Sequence, residues 1–179
     1  MANADASALD LMISLQDLNA LPAPQFASTL AGVFEHSPWV PERVAPMRPF
    51  ATRAQLLEAM RAAVQAASPE EQLALIRAHP QLAARGRNRA GLTAASAVEQ
   101  QRAGLDAITS AVLTQIEQLN AAYLQKFAFP FILAVRGHDP ASILENCRRR
   151  LAHDEPQERR TALQEIGLIA EYRLNDMVG

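Results

Sequence analysis

The stretch Phe127-Ala128-Phe129-Pro130-Phe131-Ile132-Leu133-Ala134-Val135-Arg136-Gly137 is the most apolar segment of the chain, and it stops on a cation and a glycine. A short apolar run bounded by proline and glycine has the form of a buried strand. A strand needs a partner, and nothing else in the sequence reads as a convincing one. Without a sheet, the N–H and C=O groups of such a run must be satisfied by neighbouring helices, water or a ligand. Two readings follow: a packed connector between helices, or the wall of a ligand pocket. Either one makes the fold all-α.

Outward from this run the pattern is helical. Leu105, Ile108, Val112, Ile116, Leu119 and Tyr123 keep a three- and four-residue spacing, which predicts one long helix over about residues 95–126. After the run, Asp139-Pro140 pairs a capping residue with proline at the first helical position, predicting a helix to about Ala152. Asp154 and Pro156 open the last helix, with Leu163, Ile166, Ile169, Ala170 and Leu174 on its buried face. Upstream, Ser68-Pro69-Glu70-Glu71 is the clearest start signal: an N-cap serine, proline at the first position and a capping-box glutamate. That helix turns Leu73 and Ile76 inward and must stop near His79, because Pro80 follows. Thr52 is a plausible N-cap for a helix carrying Leu56, Leu57, Met60 and Val64. Pro24 opens one with Phe26, Leu30, Val33 and Phe34 on one face, ending at Glu35-His36-Ser37-Pro38; Trp39 to Met47 suggest another turn or two. Leu9 to Leu18 is compatible with a short helix, although residues 1–14 are expected to be less ordered. The expectation is a single-domain irregular all-α bundle of about seven to nine helices, spanning residues 1–179.

The composition is 49% hydrophobic and 20% charged over 179 residues, which suits a soluble globular protein able to bury a core. A net charge of -2 gives no reason to expect nucleic acid or an anionic membrane as partner. The basic cluster Arg85, Arg87 and Arg89 lies in a stretch with the composition of a solvated loop, with anion steering as the other reading. One cysteine, Cys147, excludes an intramolecular disulfide. No apolar run has transmembrane length, and no signal-peptide layout opens the chain, so a cytoplasmic location is expected.

Three residues could carry chemistry, each beside a plainer reading. His79 is fixed at a helix end by the proline after it; it is either a capping or core histidine, or a group that moves protons near neutral pH. Glu99 completes Ser96-x-x-Glu99, which fits a capping box with no substrate involved. Arg136 directly follows the apolar run, where it forms a surface ion pair or meets a polar ligand. His36, His79, His138 and His153 show no two-ligand spacing on one helix, so no metal is expected. There is no phosphate loop, dinucleotide fingerprint or nucleophile elbow.

The order of the motifs says more. The chain has Phe34-Glu35-His36-Ser37-Pro38-Trp39-Val40, Arg48-Pro49-Phe50, Ala78-His79-Pro80-Gln81-Leu82-Ala83, Leu92-Thr93 with Ser96-x-x-Glu99-Gln100 and Ala103-Gly104-Leu105. Asn120-x-x-Tyr123 then leads through Lys126 into the apolar run, and Ile169-x-x-x-Arg173-Leu174 closes the series. Taken in order, these resemble the 2-oxo-4-hydroxy-4-carboxy-5-ureidoimidazoline (OHCU) decarboxylases of urate breakdown, from about residue 15 to the C-terminus.

The resemblance implies an all-helical, usually dimeric enzyme that needs no cofactor. It converts OHCU to (S)-allantoin and carbon dioxide, with protonation of C4 on one face. The family's active histidine corresponds to His79, and Pro80 contacts substrate. Its serine-to-glutamine segment corresponds to Ser96, Ala97, Val98, Glu99 and Gln100, with Glu99 as the acidic member. The substrate-lining run corresponds to Phe131, Ile132, Leu133, Ala134 and Val135, followed by Arg136, and it would offer backbone amides to the substrate. Two departures are visible: Ala128 stands where glycine is more usual, and Arg85 where lysine is. The first matters only if that backbone adopts a positive φ. Other readings are a helical binding module without catalysis, or an enzyme for another ureido-substituted ring.

Overall fold

The computed structural model describes residues 12–82, 93–105 and 108–179. Among them there are nine α-helices and no strand, only an isolated bridge between Ile13 and Val178. The all-α expectation holds. The basic cluster Arg85, Arg87 and Arg89, and residues 1–11 of the N-terminal expectation, lie outside the described residues.

The chain divides into two compact units, Met1–Ala67 with Ile169–Gly179, and Ser68–Leu168. The first contains α1 (Leu15–Ala20), α2 (Ala23–Thr29), α3 (Trp39–Val44), a 3-10 turn at Ala45–Met47, and α4 (Arg53–Gln65). The second contains α5 (Pro69–Ala78), α6 (Ala94–Arg102), α7 (Ser110–Phe127) and α8 (Pro140–Arg150). The closing helix α9 (Glu155–Met177) contributes residues to both.

In the first unit, Phe26, Leu30, Val33 and Phe34 are all buried as their spacing predicts, yet the helix that carries them ends at Thr29. The hydroxyls of Ser28 and Thr29 both donate to the Gln25 carbonyl, at 3.0 and 2.8 Å, a local bond that competes with helix propagation. The chain then turns, and Glu35 is buried against Arg173 Nη1 at 2.6 Å, with the Gly32 carbonyl at 3.2 Å from the same nitrogen. Asn19 exchanges two hydrogen bonds with the backbone of Phe50, of 2.8 and 2.9 Å. Thr52 caps α4 as expected, and Leu56, Leu57, Met60 and Val64 form its buried face.

In the second unit, the capping box at Ser68 and Glu71 is present and α5 stops before Pro80. Its inward residues are Leu75 and Ile76, while Leu73 is half-buried. The single helix expected over 95–126 is two helices. Gly104, at φ 73, takes the left-handed position after the Ala103 C-cap; its N–H bonds to Gln101 and that of Leu105 to Gln100, closing a Schellman turn. Thr109 then caps a new helix, accepting from the amide of Val112. Tyr123 is the hub of an aromatic cluster, with ring centroids 4.6 Å from Phe127, 6.0 Å from Phe129 and 5.3 Å from Phe131.

Candidate active site

The second unit holds every residue on which sequence reasoning placed a site. His79 is the C-cap of α5, with extended backbone (φ -77, ψ 138). The following proline disfavours the helical conformation here, and the chain leaves α5 at this residue. The imidazole is buried, and its Nδ1 lies 2.9 Å from the Leu75 carbonyl one turn back. A carbonyl can only accept, so Nδ1 carries hydrogen and donates. Proton exchange can then take place at Nε2 without giving up that bond. Helix geometry thus selects the tautomer.

The 79–82 segment is tied to the two helices that follow. Gln100 Nε2 of α6 reaches the Gln81 carbonyl at 3.4 Å, and Asn120 Nδ2 of α7 donates to the Leu82 carbonyl at 2.9 Å. Arg77 Nε donates to the Ala128 carbonyl at 3.0 Å, joining the end of α5 to the start of the apolar run.

The capping-box reading of Ser96 and Glu99 is overturned. Thr93 is the N-cap of α6, and its hydroxyl accepts from the Ser96 amide at 3.2 Å. Ser96 is therefore a buried residue of the first turn, and Glu99 lies well inside the helix, where capping does not require it. Ala97, Glu99 and Gln100 are half-buried, while Val98 is 44% exposed on the outer side of the helix.

The run that opened the sequence analysis is neither helix nor strand. Phe131, Ile132, Leu133, Ala134 and Val135 are all buried, at 2–6% exposure. Its backbone is held in part by side chains of the protein itself. Arg150 Nη1 donates to the Ile132 carbonyl at 2.6 Å, and Glu165 Oε2 accepts from the Ala134 amide at 2.9 Å. The Val135 carbonyl accepts from the His138 amide at 3.0 Å, closing the turn where Arg136 is exposed and Gly137 takes φ 84. Three of the run's backbone groups are thus satisfied without a ligand, which narrows the expectation that its amides serve a substrate. Ala128, before the run, has φ 59 and ψ 25, the left-handed conformation that favours glycine.

Two buried charges that the sequence pattern had not singled out, Arg150 and Glu158, lie behind this run. Arg150 is 2% exposed and Glu158 fully buried. Glu158 Oε1 accepts from Arg150 Nε at 2.9 Å, from Arg150 Nη2 and from the Tyr123 hydroxyl; its Oε2 lies 2.7 Å from His153 Nδ1. Burial, and then the bond to Glu158, hold the Tyr123 phenol well above its ordinary pKa. Burial likewise pushes the thiol of Cys147 up to about 11. The missed signal was position on the helix. Arg150 continues the buried face of Ile143 and Cys147, and Glu158 that of Ala162 and Ile166.

Among the described residues no group of three His, Cys, Asp or Glu side chains is placed to hold a metal. A cleft of about 480 Å³ in the first unit, lined by Ala23, Pro24, Ala27 and Glu42 among others, contains none of the expected site residues. No helix among the described residues is long and apolar enough to cross a membrane.

What the fold and site define is an all-helical protein with a buried histidine held at a helix end and a stretch of irregular buried backbone in the same unit. Comparison with known proteins narrows that class. The OHCU decarboxylase family model matches residues 19–175, and the chain belongs to that family. A 2-oxo-4-hydroxy-4-carboxy-5-ureidoimidazoline decarboxylase of Haloferax volcanii is 41% identical over 162 residues, covering 90% of this chain and 94% of that one. The uric acid degradation bifunctional protein of Bacillus sp. (strain TB-90) is 40% identical over 93% of this chain, which spans 32% of that longer protein. Among solved structures, an (S)-allantoin synthase matches 92% of this chain with a TM-score of 0.75 and 31% identity; the chain spans 54% of it.

Proposed function

We propose that this protein is a cofactor-independent decarboxylase that converts OHCU to (S)-allantoin and carbon dioxide in urate degradation. The observation that carries the reading is the tautomer of His79: a buried imidazole whose Nδ1 is committed to the Leu75 carbonyl and whose Nε2 can exchange a proton. Membership of the family and the near full-length likeness to the Haloferax volcanii protein support the choice of substrate.

The chemistry asks little of the protein beyond placement. When the bond from C4 to the carboxylate breaks, its electron pair moves between C4 and C5, and the nitrogen of the ring C=N takes the displaced pair and a proton. No cofactor is needed as electron sink. The C4 hydroxyl then loses its proton as it becomes a carbonyl, and C5, the carbon bearing the ureido group, takes up one. The electron count therefore places the stereospecific protonation at C5, and the expectation of C4 is corrected on that ground. His79 is the proton donor that fixes the S configuration. Glu99 orients the imidazole or accepts from the substrate's hydroxyl or ureido groups. Ser96 and Gln100 bond the amides, Pro80 and residues 131–135 pack on the ring, and Arg136 offsets charge on substrate oxygens. A tight grip by Arg136 on the departing carboxylate would stabilise the ground state and not speed the step. The protein acts as a cytoplasmic homodimer; its single cysteine suits that compartment.

OHCU decays without catalysis, so the test follows freshly prepared OHCU by circular dichroism. A rapid signal of (S)-allantoin is expected. A rate and racemic product equal to those in buffer alone would overturn the reading and favour a binding module. Light scattering of the purified protein should give twice the monomer mass.

A further inference from the structure

Behind the 131–135 run, two side chains from different helices take the place of a partner strand. Arg150 of α8 donates to the carbonyl of Ile132, and Glu165 of α9 accepts from the amide of Ala134. The run is thus held at two backbone groups two residues apart, one carbonyl and one amide. Arg150 is itself locked. Its Nε and Nη2 donate to Glu158 Oε1, the Tyr123 hydroxyl donates to the same oxygen, and the guanidinium lies 4.7 Å from the centroid of the Phe131 ring. A buried ion pair supplies little stability relative to well-packed apolar residues of the same size. What the planar fork supplies is a fixed orientation, which a lysine cannot copy.

We propose that Arg150 and Glu165 are positioning residues for the reaction, setting the register of the 131–135 wall against the substrate, with Glu158 and Tyr123 orienting Arg150. This rests on the proposal that residues 131–135 line the substrate. In the free enzyme the two contacts pre-set the wall, so substrate binding does not have to order it.

The test is steady-state kinetics on fresh OHCU with the Glu165→Ala, Glu165→Gln and Arg150→Lys variants, recording KM, kcat and the enantiomeric excess of the allantoin. Glu165→Ala is expected to raise KM by about five-fold, the worth of one hydrogen bond, with kcat within about two-fold and enantiomeric excess reduced. Glu165→Gln keeps an oxygen that accepts from the Ala134 amide and is expected to restore KM and enantiomeric excess. Arg150→Lys reads the carbonyl side of the same wall and should raise KM likewise, which keeps the question answerable if Glu165→Ala does not fold. Variants that melt lower yet keep wild-type KM, kcat and enantiomeric excess would overturn the inference and leave the two residues purely structural. A wild-type protein that does not accelerate OHCU decay would instead overturn the function on which it rests.

Discussion

At the scale of single residues, the most consequential feature is the bond from His79 Nδ1 to the Leu75 carbonyl. An asparagine can place its amide nitrogen near the same carbonyl but cannot exchange a proton at neutral pH. His79→Asn should therefore keep its melting temperature within a few degrees and lose roughly 10²-fold or more in kcat, the usual share of a general acid. Near-full activity with intact stereoselectivity would remove His79 from the mechanism. Ala128 gives a prediction of the opposite kind. It holds φ 59 at the end of α7, where its amide bonds to the Leu124 carbonyl. An L-residue is strained there by about 1–2 kcal/mol, part of which glycine returns through the greater freedom of its unfolded chain. Ala128→Gly should stabilise the protein by up to about 1 kcal/mol, read as a rise in the denaturation midpoint at unchanged m-value. A lower midpoint would mean that the alanine methyl packs better than the backbone suffers.

At the scale of elements, most starts were legible because each is written in two or three adjacent residues. Ser68-Pro69-Glu70-Glu71, Thr52 and Asp139-Pro140 all cap helices where the sequence placed them. Ends and interruptions were less legible, because an unbroken apolar stripe outweighs a lone glycine: Leu105 and Ile108 fall on the same period as Val112 although a Schellman turn lies at Gly104. Missing that break also moved the start of α6, and with it the meaning of Glu99. The two readings of Glu99 now separate experimentally. Thr93→Ala removes the actual cap and should cost about 1 kcal/mol of stability, with turnover retained well below the melting temperature. Glu99→Gln should abolish most of the turnover at nearly unchanged stability. If Glu99→Gln melted like Thr93→Ala and kept its activity, the acidic role would pass to another group.

At the scale of the whole molecule, the positions of the charges were the least legible, since Arg150, Glu158, Glu35 and Arg173 look like surface residues by type and are buried by position. Composition reports how many charges a chain carries; only packing decides which of them lose water. The same burial sets an alkaline limit on stability. Cys147 is 3% exposed, and burial pushes its thiol from the usual 9.0 to about 11; burial also raises the Tyr123 phenol. In both cases the folded state holds its proton to higher pH than the unfolded state does. Their contribution is then fully present below about pH 9 and is lost as pH climbs from the unfolded pKa of Cys147 toward its folded one, with Tyr123 extending the loss above pH 10. For Cys147 the change is on the order of 2–3 kcal/mol. Thermal melts at pH 7.5, 9, 10 and 11 in the presence of a reductant should fall steeply over the last two intervals. Cys147→Ala, which removes the only thiol, should lose less over that window than the wild type even though its core is slightly emptier at pH 7.5. Parallel pH profiles for the two proteins would show that the alkaline loss arises elsewhere, with Tyr123→Phe as the next variant to melt.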